Sequence, residues 1–276
     1  MTWWVIEAGV AGPDADRVAR ALVEATGYAV EERSELVLGY AADQADAERA
    51  RQALTERFGA AVSIELRPVP STDWTTAWKQ GLAVRAVGRL RLGPSWLLEP
   101  GPDAVVVDPE SAFGSGEHGS TRGALALLER HLRPGGVALD LGSGSGILAI
   151  AAVKLGAGRA LGIEVDEEAI PIAERNAANN GVAAAVRFVA GDAAALAPLA
   201  GPADLVVANI LRTVNERLVE PIARALVPDG IAVFAGMEVA EAPSFEAELE
   251  RAGFVPIERI EDEGWWSVAA RRAGGG

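Results

Sequence analysis

Cysteine is absent from this sequence, which removes disulfide frameworks, thiolate metal sites and cysteine nucleophiles together. Histidine is nearly as scarce: His118 and His131 are the only two, so no histidine-rich metal site is expected. Basic residues are outnumbered, 25 Lys and Arg against 39 Asp and Glu, for a formal net charge of -14. They occur singly or in short pairs such as Arg271-Arg272, so no basic stripe meets a phosphate backbone and direct nucleic-acid binding is not expected. An acidic surface serves solubility, or it speeds encounter with a basic partner. Long apolar runs are also missing. The opening Trp3-Trp4-Val5-Ile6 stops at Glu7, and nothing later is long enough to span a bilayer, so a soluble, cytoplasmic protein with no membrane partner is expected. No coiled-coil pattern appears, and a monomer is the expectation.

What the chain does have is apolar residues, 50% of its 276 positions, enough for a sizeable core and for two domains. The first 67 residues read as six short elements. Strand patterns cover Thr2–Ala8, Tyr28–Arg33, Glu35–Tyr40 and Ala61–Leu66, and helical spacing covers Asp14–Thr26 and Asp46–Phe58. The order βαββαβ predicts a ferredoxin-like α+β domain, an antiparallel sheet with both helices on one face. Pro68 and Pro70 then break the chain, and Ser71 or Thr72 can cap a short helix through Trp74, Trp78 and Lys79. Gly93-Pro94 marks another break, so residues 68–95 read as a linker with a short helix. From residue 96 the pattern changes to alternating βα units with strands at Gly136–Leu141, Arg159–Val165, Ala185–Val189, Asp204–Ile210 and Gly230–Ala235. A closing pair, Val255–Ile260 and Trp266–Ala270, turns through Asp262-Glu263-Gly264. Together these predict an α/β fold: a doubly wound, mostly parallel seven-stranded sheet over residues 96–276.

The sharpest local signal is Asp140-Leu141-Gly142-Ser143-Gly144-Ser145-Gly146, between the first strand of that sheet and the helix at Ile147. Glycines permit a tight turn and close approach of a ligand, and the helix start offers unpaired N–H groups. A doubly wound sheet binds its ligand at this end. A dinucleotide fingerprint would need its third glycine where Ile147 stands, and a P-loop would need a lysine after the glycines, so both are disfavoured. A site for S-adenosyl-L-methionine needs no pyrophosphate cradle, only a close turn, Gly142 and Gly144 here, and an acid for the ribose. Glu164 ends the second strand and supplies that acid, with Asp166 on the next loop as the competing choice. Asp192, after the third strand, faces an adenine amino group or caps a short helix. Asp140 reaches the cofactor or supports the loop. Asn209 ends the fourth strand, where it accepts a hydrogen bond from an incoming amine or braces the loop. The stretch 108–121 reads as a loop over the substrate or cofactor, and its His118 orients substrate, accepts a proton or only satisfies the loop. His131 reads as a helix-end residue favoured by the dipole.

These segments together resemble one family, the bacterial ribosomal-protein lysine methyltransferases known as PrmA, which modify protein eleven of the large ribosomal subunit. The likeness covers essentially the whole chain. It is strongest in Ala112-Phe113-Gly114-Ser115-Gly116-Glu117-His118-Gly119-Ser120-Thr121, in Leu139 to Ala152, and in Val207-Ala208-Asn209-Ile210-Leu211. The resemblance implies cofactor contacts at Thr121, Gly142, Glu164 and Asn209, and an aromatic, Phe113, closing over the site. It implies methyl transfer from S-adenosyl-L-methionine to lysine and N-terminal amines of a large-subunit ribosomal protein, recognised by the N-terminal module. Ser115, Ser120 and Glu164 stand where the family more often has threonine, threonine and aspartate. Rival readings are an N-methyltransferase for another basic protein or a small amine, and a non-catalytic binding module on the same fold.

Overall fold

The structure is a computed structural model that describes residues 3–10, 15–26, 30–33, 36–69, 83–108, 116 and 118–273. The chain forms two compact units, Met1–Gly81 and Leu82–Gly276. In the first, β1 (Trp3–Gly9), α1 (Ala15–Thr26), β2 (Glu31–Arg33), β3 (Leu36–Ala41), α2 (Gln44–Phe58) and β4 (Ser63–Val69) follow in the expected βαββαβ order. Their sheet is ordered β2-β3-β1-β4, with every pair antiparallel. Alternate residues Ile6, Ala8, Val37 and Ala41 face Val18 and Leu22 of α1 and Ala47, Ala50 and Leu54 of α2, which puts both helices on one face. Asp43 begins α2 by accepting the N–H of Asp46 at 2.8 Å, a side-chain cap for an otherwise orphaned donor.

Two expectations about the end of this unit change. Pro68 does not break the chain. β4 runs on to Val69 with Pro68 opposite Trp4, and it does so at the sheet edge, where a missing N–H is tolerated. The helix expected over Ser71–Lys79, with Trp74 and Trp78, lies outside the described residues. Beyond it, the stretch read as linker contains β5 (Arg85–Val87) and β6 (Leu90–Gly93), which join β7 (Ala104–Val106) in a three-stranded sheet ordered β5-β6-β7. Strands of three or four residues are too short to show a period.

The second unit continues with α3 (Gly119–His131), β8 (Val137–Leu141), α4 (Ile147–Lys154), β9 (Arg159–Glu164), α5 (Ala169–Asn179), β10 (Val186–Ala190) and α6 (Ala193–Ala200). It closes with β11 (Ala203–Asn209), α7 (Arg212–Ala225), β12 (Leu226–Glu238), α8 (Ala242–Arg251), β13 (Phe254–Asp262) and β14 (Trp265–Arg272). The seven strands lie in the order β10-β9-β8-β11-β12-β14-β13, and β14 alone runs against its neighbours. Strand residues alternate between two cores. Leu205, Val207, Val233 and Ala269 meet α3, α4 and α5, whereas Val206, Ala208, Phe234 and Val268 meet α6, α7 and α8. Helices therefore cover both faces, as a parallel sheet requires.

Helix α3 corrects the reading of 108–121 as loop, because Gly119, Ser120 and Thr121 form its first turn. Glycine and hydroxyl residues are weak helix formers, so local propensity hides this start. Packing explains it: a Cβ added at Gly123 would lie 2.5 Å from Ser267 Oγ, so the small residue lets α3 lie against β14. His131 ends α3 as expected, its Nε2 2.8 Å from a Glu258 oxygen. Among the described residues no helix is long and apolar enough to cross a membrane.

Phe234 is fully buried at the centre of the α6–α8 side, edge-on to Phe245 at 5.2 Å and to Phe254 at 6.2 Å between ring centroids. Phe234→Ala is expected to lower stability by about 3–5 kcal/mol, measured by urea unfolding at constant slope.

Candidate functional site

The carboxyl ends of β8, β9, β10 and β11 open into one cavity of about 760 Å³, where doubly wound sheets take their ligands. The turn after β8 forms its floor. Gly142, Gly144 and Gly146 adopt φ of 72°, 48° and 82°, a region that side chains strain to enter. Space demands glycine too: a Cβ at Gly142 would lie 2.6 Å from Ile210 Cγ2, and one at Gly146 would lie 2.7 Å from Phe188 Cζ. Gly142 and Gly144 line the cavity.

Glu164 lines the cavity at the end of β9, and its carboxylate accepts three backbone N–H groups. Gly144 donates to one oxygen at 2.8 Å, while Val165 at 2.8 Å and Asp166 at 3.0 Å donate to the other. The acid is thus locked to the glycine turn, with one lone-pair site left, on the oxygen that Gly144 meets, for a further donor. Asp166, its competitor, is not at the cavity; it accepts from Glu168 N–H at 2.9 Å on the following loop. Asp192 is placed at the cavity and at a helix start. It lines the cavity, and it caps α6 by accepting the N–H of Ala194 at 2.9 Å.

Asn209 lines the cavity at the end of β11. Its Nδ2 donates to Thr121 Oγ1 at 3.1 Å, which fixes the amide, and its Oδ1 is buried without a partner. A buried acceptor left unpaired is costly unless a partner meets it. Thr121 itself is fully buried behind Asn209 and does not reach the cavity. His118 and Ser120 do. His118 precedes α3, its Nδ1 lies 2.7 Å from Ser120 Oγ, and its ring is 4.2 Å from that of Trp265, tilted by 54°. Phe113 lies outside the described residues.

From sequence, Asp140 is expected to reach the cofactor or to support the loop. It is 1% exposed, absent from the cavity wall, and accepts the N–H of Ala149 at 3.0 Å, capping α4 from the preceding strand. Its other oxygen has no partner. Burial, opposed by the Ala149 hydrogen bond and assisted by the nearby Glu164 charge, pushes its pKa up to about 7.

Several cavity residues escape sequence reasoning. Trp265 arrives from β14, paired opposite Glu238 of β12, and no local motif announces it. Leu211, Val214 and Arg217 come from the start of α7, and Val165, 76% exposed, follows Glu164. For the residues after β9 and β11 the only signal is position just beyond a strand's carboxyl end.

A family model described as ribosomal protein L11 methyltransferase (PrmA) matches residues 3–273. The protein named ribosomal protein L11 methyltransferase in Pelotomaculum thermopropionicum is 42% identical over 217 residues, 77% of this chain and 70% of that protein. Its namesake in Thermus thermophilus is 42% identical over 205 residues, 74% of this chain and 79% of that protein. The crystal structure of ribosomal protein L11 methylase from Lactobacillus delbrueckii subsp. bulgaricus is similar at a TM-score of 0.62 and 33% identity, covering 69% of this chain and 98% of that one.

The raised Asp140 pKa gives a pH signature. The folded chain holds this proton more tightly than the unfolded chain, whose Asp titrates near 3.8, so the stability it contributes is complete below about pH 4 and is lost as pH rises through about 7. Asp140→Asn is expected to remove that slope while keeping an acceptor for Ala149. Relative to wild type, the variant should gain up to roughly 4 kcal/mol between pH 4 and 8, read from urea unfolding across that range.

Proposed function

The chain belongs to the ribosomal protein L11 methyltransferase family, and from that premise we propose that it moves methyl groups from S-adenosyl-L-methionine to lysine side-chain and N-terminal amines of that large-subunit ribosomal protein. One observation carries the reading: a single cavity gathers the glycine turn, the Glu164 carboxylate and the Asn209 amide with its unpaired oxygen.

The residues present fit the methyl donor. Gly142 and Gly144 leave room for its methionine portion, Glu164 would accept a ribose hydroxyl at its one free lone-pair site, and Asp192 with Val165 and Ala193 would border the adenine. When bound, the donor supplies an electrophilic methyl on a sulfonium. What the chain contributes is placement. Asn209 Oδ1 accepts an N–H of the substrate amine and leaves the nitrogen lone pair free to face the methyl, while Thr121 stops the amide from turning. The apolar part of the wall, Ile163, Ile210, Leu218 and Trp265, disfavours the ammonium form, against the pull of the Glu164 and Asp192 carboxylates. Once that proton has gone, no strong base is required. His118 lines the same wall and is our candidate to orient the amine or receive its proton.

We assign substrate recognition to the N-terminal βαββαβ module. An acidic chain of net charge -14 is suited to a basic ribosomal protein.

Two measurements test this account. Asn209→Ala should cut kcat by about 100-fold while leaving the donor's Kd within a few-fold; a large loss of donor affinity at unchanged kcat would contradict amine placement. Labelled methyl from adenosylmethionine should enter one large-subunit protein among a purified panel, and a version lacking residues 1–81 should bind donor yet label poorly. Equal labelling without the module, or label only in other basic proteins or small amines, sinks the recognition assignment.

A further inference from the structure

Helix α5 and its C-cap carry two asparagines one turn apart, Asn176 and Asn180, that are 1% and 7% exposed. Asparagine is a poor helix former, and a buried side-chain amide persists only where its donors and acceptor are met. Backbone groups meet them here. Asn180 accepts the N–H of Val106 at 2.9 Å and donates from Nδ2 to the carbonyl of the same residue. Asn176 engages Asp108 in the same way, accepting its N–H at 3.1 Å and donating to its carbonyl at 3.3 Å. Residues two apart in an extended segment present their polar groups to the same side, so the two amides stand in for a neighbouring strand. They differ in one respect. Asn176 Nδ2 also donates to the carbonyl of Ser145 at 2.9 Å, inside the turn between β8 and α4, whereas the further hydrogen bond of Asn180 returns to the carbonyl of Asn176 at 2.8 Å.

We propose that Asn176 is a positioning residue for the methyl-donor turn. It fixes the carbonyl of Ser145, and with it Gly144 and Gly146 on either side, and couples the turn to the backbone of Asp108. Asn180 secures Val106 without reaching the turn. This inference rests on the adenosylmethionine reading of the cavity. Neither asparagine lines that cavity, so any effect on the donor must pass through the turn.

Asn176→Asp and Asn180→Asp are matched isosteric changes that keep an acceptor and remove amide donors from buried sites of similar connectivity. A merely structural role would make both lose thermal stability and donor affinity alike. We expect both to lower Tm, but only Asn176→Asp to weaken S-adenosylhomocysteine binding, by about tenfold in calorimetry, with kcat at saturating donor changed less. Equal weakening by both variants, or none by Asn176→Asp, overturns the proposal. Should Asn176→Asp fail to fold, hydrogen exchange on the wild-type chain decides. Added S-adenosylhomocysteine should slow the Asp108 amide and leave the Val106 amide unchanged; an unchanged Asp108 amide overturns the coupling. A wild-type chain that binds no S-adenosylhomocysteine overturns the cofactor reading itself, and this inference with it.

Discussion

The turn from β8 into α4 is the constraint on which the site depends. Three glycines at positive φ fold the backbone back so sharply that a helix begins at Ile147, right beside the end of the strand. That shape has to be held from outside, because such a turn carries few side chains of its own. Glu164 holds it from β9 through Gly144, Asn176 holds it from α5 through Ser145, and Asp140 holds the helix start from β8 through Ala149. Two of these braces are carboxyl groups, and they are treated differently. Glu164 opens to the cavity and keeps acceptor capacity for a ligand, whereas Asp140 is sealed in and its charge is disfavoured.

The other wall of the cavity comes from the sheet's antiparallel end. β14 inserts beside β12, and the short turn through Glu263 and Gly264 sets Trp265 against His118. Arg122 of α3 secures that turn, with Nε 2.6 Å from Asp262 and a terminal nitrogen 2.8 Å from Glu263. Gly119 allows the contact, since a Cβ there would fall 2.4 Å from the Asp262 carbonyl oxygen. A small residue at the helix start and a largely buried guanidinium one turn on thus place an aromatic wall opposite the glycine turn.

Much of this was legible in the sequence because it is local. Glycine spacing, a carboxylate at the second strand end and an asparagine at the fourth are read from one parallel-sheet period plus the rule that ligands lie beyond strand carboxyl ends. The βαββαβ order of the first unit was readable for the same reason. What remained hidden depends on contacts between distant segments. Thr121 sits behind Asn209 only because α3 packs beneath β11, and Trp265 reaches the cavity only through cross-strand register. The sequence leaves Asp140 between cofactor and loop, and the N–H it accepts lies nine residues later. β5 and β6 were too short to carry a pattern, and Pro68 read as a break until β4 proved to be an edge strand.

We propose that this cavity is built for adenosylmethionine and not for a dinucleotide. Its most direct test is calorimetric titration of the full chain with S-adenosylhomocysteine and, separately, with NAD. The account predicts saturable one-to-one binding of the first and none of the second. Binding of NAD, or no binding of S-adenosylhomocysteine by a folded chain, would contradict it.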